Sequence, residues 1–493
     1  MSQIKIANLT FAYEGSFDNV FENVSFTADT GWKTGLVARN GRGKTTLLKL
    51  LTGAYGYSGE ISANADFRYF PYEPKECGSA IGAVKSVFPE LSDWELIREL
   101  NQLEFDVSSL DRPFYTLSPG ERTKLLLSAL FLGENAFPLI DEPTNHLDMK
   151  GREALGEYLK RKRGFILVSH DRALLDLCTD HTLAINKTGI EVVSGSFSVW
   201  QASKQQRDDF ELAANEKLKK DIRRLRESAE QSRRWADKNE SMKLGKKKAE
   251  AGNTETREYI AEQSRRMQQR RKNLERRQEN AVAEKSALLK DVEESEPLKL
   301  RPLSYRAERL SEFRDVSVYY GERAAVSGVS FSVLRGERVA VCGRNGSGKS
   351  SLLKLFLQDK PAFSGKADIG SGLIVSFVPQ DASFLCGSAE AYAKEHGVNV
   401  SLFFAILRKL GFSRIQFEKD MADYSAGQKK KVLIAASLCE SAHLYVWDEP
   451  LNYMDLQSRM QIEELILAFS PTIVFVEHDR AFCKRVSTKT VEL

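Results

Sequence analysis

Two stretches of the sequence have glycine spacings that suit the binding of phosphate groups. Residues 343–350 read Gly-x4-Gly-Lys-Ser, and residues 38–45 repeat the pattern with Ala38 in place of the leading glycine. In a strand–loop–helix context, such glycines expose backbone N–H groups to phosphate oxygens, the lysine spans the outer phosphates, and the hydroxyl can ligate Mg²⁺. The predicted phosphate contacts are Asn40, Gly41, Arg42, Gly43, Lys44, Thr45, Thr46, Asn345, Gly346, Ser347, Gly348, Lys349, Ser350 and Ser351.

An Asp-Glu pair directly follows an apolar run in each half of the chain. The pairs are Asp141 with Glu142 and Asp448 with Glu449. An aspartate at a strand end can hold the water shell of Mg²⁺, and the adjacent glutamate can orient and polarise an attacking water. The pairs therefore predict phosphoryl transfer to water.

A histidine follows a second β-rich run in each half, at His170 and His478. A lone histidine in such a position is more often a core residue or a surface switch. Because both halves have it at the same place, we interpret the two histidines as γ-phosphate contacts.

These motifs occur twice in the same order, at a nearly constant offset of about 305 to 308 residues. A single phosphate-loop pattern could be an ordinary glycine-rich turn, but two copies in matching order indicate a duplication. We therefore predict an α/β fold with two homologous domains at residues 1–198 and 300–493. A linker at residues 199–299 separates them.

The linker has a different composition from the two halves. It is rich in Lys, Arg, Glu, Gln and Ala, and apolar residues recur at helical spacing from Leu218 to Ala229 and every seven residues from Ile260 to Leu288. The pattern predicts two long antiparallel helices joined by a basic tip. Basic residues exceed acidic ones between Arg223 and Arg277. A solvated, salt-bridged hairpin would need no such excess, so we favour contacts with RNA phosphates.

The overall composition limits the possible classes. The chain of 493 residues is 42% hydrophobic and 28% charged, with a net charge of +4. No run approaches the roughly 18 apolar residues of a membrane span, and no signal peptide is evident at the start. Six scattered cysteines without a C-x-x-C pair argue against a disulfide framework or a cysteine zinc site. We expect a cytoplasmic protein.

Two further segments make the sequence similar to a known family. Residues 118–121 (Ser-Pro-Gly-Glu) and 425–428 (Ser-Ala-Gly-Gln) resemble the signature motif of ABC ATPases, and each precedes an Asp-Glu pair. Residues 141–148, Asp-Glu-Pro-Thr-Asn-His-Leu-Asp, closely match the ABC-F class. The resemblance covers essentially the whole chain. It implies an ATP hydrolase that uses ATP and Mg²⁺, with two tandem ABC ATPase (P-loop) domains joined by a long helical hairpin.

The resemblance also implies two composite sites, each joining the phosphate loop of one cassette to the signature of the other. The implied catalytic residues are Glu142, Glu449, His170 and His478. The implied signature contacts are Ser118, Gly120, Glu121, Ser425, Gly427 and Gln428. The implied Mg²⁺ ligands are Thr45, Asp141, Ser350, Gln380 and Asp448. Tyr13 and Tyr320 would stack on adenine, although a core role fits them nearly as well, and Asp148 and Asp455 take the D-loop position.

The sequence departs from the family pattern in two places. Tyr72 stands where the Q-loop glutamine is expected, whereas Gln380 keeps it in the second cassette. Residues 452–455, Asn-Tyr-Met-Asp, replace Asn-His-Leu-Asp. Because Tyr72 cannot ligate Mg²⁺ as glutamine does, we expect the two sites to hydrolyse ATP unequally.

The resemblance implies a ribosomal partner, contacted through large-subunit rRNA and tRNA. In that family the hairpin enters the ribosomal exit site and points toward the peptidyl-transferase centre. The interval between Tyr72 and Tyr115 is short, and the chain ends soon after His478, so we expect no arm insertion and no C-terminal extension. This arrangement is most similar to that of the antibiotic-resistance members of the family, especially the Lsa-like proteins. These protect ribosomes from lincosamides, streptogramin A and pleuromutilins. We expect a monomer with an intramolecular cassette pair.

Three alternatives remain at the level of the sequence. A housekeeping translation factor of the same family would have the same motifs without a drug role. The ATPase subunit of an exporter would leave the basic hairpin unexplained. A DNA-repair ATPase would carry its coiled coil inside one cassette rather than between two.

Overall fold

A computed structural model of the chain describes residues 2–15, 19–75, 78–186, 189–247, 269, 298–357 and 361–493. The chain divides into two compact units. One unit is formed by Met1–Trp200 together with Ser295–Leu493, and it contains both cassettes. The other is Gln201–Glu294.

The first cassette alternates short strands and helices. Its strands are β1 (Gln3–Phe11), β2 (Phe21–Asp29), β3 (Lys33–Val37), β4 (Ser58–Ser62), β5 (Asp66–Phe70), β6 (Ala136–Asp141), β7 (Phe165–Val168), β8 (His181–Asn186) and β9 (Gly189–Ser194). Its helices are α1 (Lys44–Leu51), α2 (Ala80–Lys85), α3 (Asp93–Gln102), α4 (Pro119–Leu130), α5 (Met149–Arg161) and α6 (Arg172–Cys178), with 3₁₀ turns at Val107–Asp111 and Phe114–Thr116.

The second cassette follows a similar order of elements. Its strands are β10 (Arg309–Tyr320), β11 (Arg323–Leu334), β12 (Arg338–Cys342), β13 (Ala362–Ile369), β14 (Val375–Val378), β15 (Leu444–Asp448), β16 (Ile473–Val476) and β17 (Lys489–Glu492). Its helices are α8 (Lys349–Lys354), α9 (Ala389–Glu395), α10 (Val400–Lys409), α11 (Arg414–Phe417), α12 (Ala426–Cys439), α13 (Leu456–Phe469) and α14 (Arg480–Val486), with a 3₁₀ turn at Met421–Asp423.

Each cassette combines a parallel and an antiparallel sheet. The larger sheets have the orders β5-β6-β7-β3-β8-β9 and β14-β15-β16-β12-β17, and they are parallel except for the β8–β9 pair. The smaller antiparallel sheets have the orders β2-β1-β4 and β11-β10-β13. The matching strand orders support the duplication expected from the sequence.

The parallel strands are short and apolar because helices cover both of their faces. All four residues of β7 and of β16 are buried, as are all five of β15. The central strand β3 pairs in parallel with β7, which pairs with β6, and β12, β16 and β15 repeat this arrangement. Since the carboxyl ends of parallel strands lie at one edge of a sheet, the loops that follow them meet there. The predicted phosphate loops, Asp-Glu pairs and histidines lie at this edge of the two sheets.

Helix α7 spans Phe197–Lys247, 51 residues, and continues from the first cassette into the linker unit. It agrees with the first of the two helices predicted for the linker. The predicted return helix, its seven-residue repeat from Ile260 to Leu288, and most of the basic tip lie outside the described residues. Among the helices that the structure does describe, none is both long and apolar enough to span a membrane.

Candidate functional site

The lysines of the two phosphate loops share one equivalent hydrogen bond to the loop backbone. Lys349 Nζ donates hydrogen bonds to the carbonyl oxygens of Gly343 at 3.0 Å and Arg344 at 2.8 Å. Lys44 Nζ makes the equivalent bond to the Ala38 carbonyl at 3.0 Å. The loss of the leading glycine in the first cassette therefore leaves this contact intact. Burial lowers the pKa of both lysines, and neighbouring carboxylates oppose the shift.

A glycine is required at the end of each phosphate loop. Gly348 has a φ of +85°, and a Cβ atom there would lie 2.3 Å from Val326 Cγ2. Gly43 has a φ of +86° at the equivalent position. The left-handed backbone and the close neighbour together exclude other side chains, so the loop can bring its N–H groups to a phosphate.

Each phosphate-loop hydroxyl contacts the aspartate at the end of a neighbouring strand. Thr45 Oγ1 donates to Asp141 Oδ2 at 2.6 Å, and Ser350 hydrogen-bonds Asp448. Burial raises the pKa of both aspartates. Oδ1 of Asp448 is buried and has no hydrogen-bond partner among the described residues. An unpaired buried carboxylate oxygen beside a hydroxyl is a suitable set of donors for Mg²⁺.

The two glutamates adopt an uncommon backbone conformation. Glu142 has a φ of +52° and Glu449 a φ of +47°, in the left-handed region that costs a non-glycine residue roughly 1–3 kcal/mol. Each is held by a backbone hydrogen bond across the sheet, from Glu142 N to the Val168 carbonyl and from Glu449 N to the Val476 carbonyl.

The surroundings of the two carboxylates differ. His478 Nε2 lies 3.3 Å from Glu449 Oε1, and both Gln380 and Asn452 hydrogen-bond the Glu449 carboxylate. Burial alone would raise the pKa of Glu449, but the contacts with His478 and Gln380 and the nearby Lys349 charge lower it below its usual value. Glu449 is therefore ionised and oriented by three side chains.

For Glu142, burial and nearby charges shift the pKa in a different direction. His170 Nε2 lies 3.1 Å from Glu142 Oε1, and the His170 backbone N–H donates to Oε2 at 3.3 Å. Burial raises the pKa of Glu142 to about 7, more than the nearby Lys44 charge lowers it. Burial also holds the pKa of His170 well below its ordinary value, so that imidazole is neutral. The surroundings of the two glutamates therefore differ in more than Tyr72, and the unequal hydrolysis expected from the sequence stays a prediction.

Two cavities join the phosphate loop of one cassette to the signature of the other. The first cavity, of about 490 Å³, brings Asn40, Gly41, Glu142 and His170 together with residues 425–428. The second, of about 1670 Å³, brings residues 344–351, Gln380, Glu449 and His478 together with residues 118–121. Each cavity thus contains part of a predicted composite site: Lys44, Thr45 and Asp141 do not line the first cavity, and Asp448 does not line the second.

The signature residues also start helices. Ser118 and Glu121 form a capping box at the start of α4, and Ser425 and Gln428 form one at the start of α12. Gly427 is needed because a Cβ atom there would lie 2.3 Å from the Tyr453 carbonyl oxygen. Local helix capping therefore constrains part of each signature before any ligand is considered.

The first cavity is bordered by direct contacts between cassettes. Asn40 Nδ2 donates to the Tyr453 carbonyl oxygen at 3.2 Å. The D-loop residue Asp455 caps α13 and pairs with Lys431, with Oδ2 and Nζ 2.6 Å apart. The negative charge of Asp455 also acts on Lys44 of the other cassette and favours the charged form of that lysine. Asp148 caps α5 in the same way, and its negative charge favours the charged form of Lys349.

The two candidate adenine-stacking tyrosines are placed differently. Tyr320 is 51% exposed and lines the second cavity. Tyr13 is 44% exposed, hydrogen-bonds Thr46 of the phosphate-loop helix at 2.7 Å, and contacts the rings of Phe11 and Tyr55 edge-on. Tyr13 thus has contacts with its own cassette as well as an accessible ring.

The Q-loop substitution has a structural explanation. The Tyr72 hydroxyl donates to the Leu126 carbonyl oxygen at 3.2 Å, and its ring packs edge-on against Phe88. Tyr72 is thus a packing residue rather than a ligand of the first site. Instead, the hydroxyl of Tyr69, which sequence reasoning missed, donates to Asp141 Oδ2 at 3.1 Å. No motif marks Tyr69, because only the pairing of β5 with β6 brings it to Asp141.

Comparisons with known proteins agree with this architecture. The family described as ABC transporter matches residues 21–145 and 326–452, which together exceed half of the chain. An archaeal ribosome recycling factor, aABCE1, solved with the stalk protein aP1, has the same fold: its TM-score is 0.60 at 19% identity, over 94% of this chain and 83% of that one.

Relatives align along nearly the whole sequence. The chain is 27% identical to the ATP-binding protein Uup of Caulobacter vibrioides, over 96% of this chain and 74% of that protein. It is 25% identical to the ribosome protection protein VmlR of Bacillus subtilis, over 98% of this chain and 86% of that protein. It is 24% identical to ABC transporter F family member 2 of Arabidopsis thaliana, over 100% of this chain and 76% of that protein. With its duplicated phosphate loops and crossed signatures, the chain belongs to the ABC transporter family and, within it, to the ABC-F ATPases, which bind and hydrolyse ATP.

Proposed function

We propose that this ATPase binds the ribosome in the cytoplasm and protects it from antibiotics that act near the peptidyl-transferase centre, namely lincosamides, streptogramin A and pleuromutilins. The observation that carries the proposal is the similarity to the ribosome protection protein VmlR over 98% of the chain. An Lsa-type drug spectrum would follow from the short interval between Tyr72 and Tyr115. The protein would act as a monomer whose cassettes pair with each other.

The linker, which we assign to residues 199–299 between cassettes at 1–198 and 300–493, would contact the RNA. Helix α7 alone has 51 residues, which corresponds to about 75 Å of α-helix. Its excess of basic over acidic side chains suits contacts with rRNA and tRNA phosphates. Closure of the cassettes on ATP would push the linker toward the drug site, so that the drug is displaced through altered RNA and tRNA positions.

ATP would bind in the two composite cavities. Lys44 and Lys349 would contact the outer phosphates, and the signature N–H groups of the opposite cassette would complete each site. Thr45 with Asp141, and Ser350 with Gln380 and Asp448, have oxygen donors suited to Mg²⁺. When bound, the ion would supply neutralisation of phosphate charge.

Glu449 is the better placed general base. It is ionised, and Gln380, Asn452 and His478 orient its carboxylate. Glu449 would polarise a water that attacks the γ-phosphorus; the bond from that phosphorus to the β–γ bridging oxygen breaks, and ADP and phosphate leave. His478 would hold the γ-phosphate. Glu142 and His170 would act in the same way in the first site.

Ribosome co-sedimentation tests the proposal. The double variant Glu142→Gln, Glu449→Gln should bind ATP without hydrolysing it and should accumulate on ribosomes in the presence of ATP, with binding that weakens steeply as salt rises. A double variant that hydrolyses ATP normally and never pellets with ribosomes would contradict it.

Drug susceptibility separates resistance from a housekeeping role. The similarity to Uup, named only as an ATP-binding protein, is of the same order as that to VmlR. Deleting the gene should lower the inhibitory concentrations of the three drug classes. Unchanged inhibitory concentrations in a strain that loses ribosome-bound protein would favour the housekeeping translation factor.

A further inference from the structure

A buried lysine lies behind the second ATP site. Lys430, in α12 just after the signature, is only 2% exposed. Its Nζ donates to the Pro379 carbonyl oxygen at 2.8 Å and to the Asp448 carbonyl oxygen at 3.2 Å. Buried lysines are uncommon unless they are paired, so these two bonds need an explanation.

The two acceptors directly precede the two side chains that contact each other in the site. Pro379 is followed by Gln380, and Asp448 is followed by Glu449. Gln380 hydrogen-bonds the Glu449 carboxylate. One ammonium group thus joins the Q-loop backbone to the end of β15, at the peptide bond that leads into the strained backbone of Glu449.

We propose that Lys430 is a positioning residue of the second ATP site, which holds Gln380 and Glu449 in register for water activation by binding the carbonyl groups that precede them. The inference rests on the proposed roles of Gln380 and Glu449 in hydrolysis. Lys430 does not touch the reacting atoms. It acts on the orientation of two backbone segments.

The first cassette has neither the lysine nor the glutamine of this arrangement. Thr123 occupies the position equivalent to Lys430, and its hydroxyl donates to the Pro119 carbonyl oxygen of its own helix at 3.0 Å. Tyr72 replaces the glutamine, and its hydroxyl bonds the Leu126 carbonyl oxygen. If the lysine and the glutamine act together, a cassette without one of them is expected to be without the other. The first cassette has neither.

A lysine that only filled the core would behave differently. Its removal would lower stability, since two buried carbonyl groups would lose their donor, but folded protein would hydrolyse ATP at the normal rate. A positioning residue instead lowers kcat while KM for ATP changes little, because the phosphate loop remains intact. A misplacement of about 1 Å can cost roughly 100-fold in rate.

The test uses steady-state ATP hydrolysis by the full chain without ribosomes. Lys430→Met is measured in the Glu142→Gln background, which leaves Glu449, and in the Glu449→Gln background, which leaves Glu142. We expect kcat to fall roughly 10- to 100-fold in the first background with KM nearly unchanged, and no further fall in the second. Thr123→Val is the matched control, with a change below about twofold in either background.

Lys430→Gln covers the possibility that Lys430→Met does not fold. Glutamine keeps an N–H donor for one of the carbonyl groups, so its kcat in the Glu142→Gln background should lie between those of lysine and methionine. Thermal melting of every variant checks that the protein is folded.

Two outcomes overturn the inference in distinguishable ways. Folded Lys430 variants with normal kcat in the Glu142→Gln background would refute the positioning role and leave Glu449 as the base. A Glu449→Gln single variant with normal turnover would refute the role proposed for Glu449, and the role of Lys430 with it. Because no ribosomes are present, neither outcome depends on ribosome binding.

Discussion

Arg172 of the first cassette forms an ion pair with Glu463 of the second, although 291 residues separate them in the chain. Glu463 is 1% exposed, and its other carboxylate oxygen lies 2.7 Å from Arg485 Nη1. The equivalent arginine of the second cassette, Arg480, pairs with Glu153 on the other side, where both side chains are more than half exposed. The histidine loops are thus linked across the cassettes by one buried and one exposed contact.

Glu463→Gln should destabilise the paired cassettes, because it leaves Arg172 and Arg485 without their shared anion. We expect a loss of about 2 to 4 kcal/mol in the free energy of unfolding, measured by urea denaturation. Glu153→Gln is the matched control and should cost less than about 1 kcal/mol, since exposed ion pairs contribute little. Equal effects of the two substitutions would contradict a special role for the buried pair.

The buried pair of Lys431 and Asp455 should make stability depend on acid pH. Asparagine also caps helices well, so Asp455→Asn keeps the cap of α13 and removes only the charge. We expect a loss of about 3 kcal/mol at pH 7. Burial opposes the ionisation of Asp455, but the charge and hydrogen bond of Lys431 outweigh it and lower the pKa below its usual value. The stabilisation is therefore present above the unfolded-state pKa near 4 and is lost as pH falls through the folded-state pKa.

Urea denaturation of wild type and Asp455→Asn from pH 7 down to pH 3 measures that difference. It should be constant between pH 5 and 7 and shrink below pH 4. Asp148→Asn, which changes the equivalent cap of α5, should cost less than about 1 kcal/mol. A difference that grows as pH falls would refute the ion-pair explanation.

Cys342, at the end of β12 beside the phosphate loop, should react with iodoacetamide near neutral pH. The neighbouring Cys483 thiol lowers the pKa of Cys342 to about 7, below the roughly 8.5 of an ordinary thiol. The alkylation rate should therefore rise through pH 7 and level off above it, as followed by peptide mass spectrometry. Cys483→Ala removes this neighbouring thiol and should move the midpoint toward 8.5. An unmoved midpoint would refute this cause.

Tyr72→Gln should not improve the first ATP site. The tyrosine packs against Phe88 and bonds the Leu126 carbonyl oxygen, so its replacement should cost about 1 to 3 kcal/mol of stability without raising turnover. Gln380→Ala, at an exposed position in the second cassette, should lower turnover with little change in melting temperature. Thermal melting and ATP hydrolysis of both variants provide the comparison.

Much of the fold was predictable from local patterns. The duplication, the strand–loop–helix order around Lys44 and Lys349, and the first linker helix all follow from spacing along the chain. Tyr69, Lys430 and Glu463 were not predictable, because each acts through a partner that is distant in sequence. Tyr72 was recognised as a departure, but its packing role became visible only with the contacts of α4.

The sequence by itself indicated the chemistry of this protein: two nucleotide sites, with their phosphate loops and their glutamates. It could do so because glycine spacing and strand-end acids are local requirements of phosphate chemistry. The pairing of each site with a signature was implied only by the resemblance to ABC ATPases. Only the tertiary structure decided how the two sites differ. The pKa values of Glu142 and Glu449 shift in opposite directions because burial and hydrogen-bond partners come from residues far apart in the chain, and no local pattern records those distances.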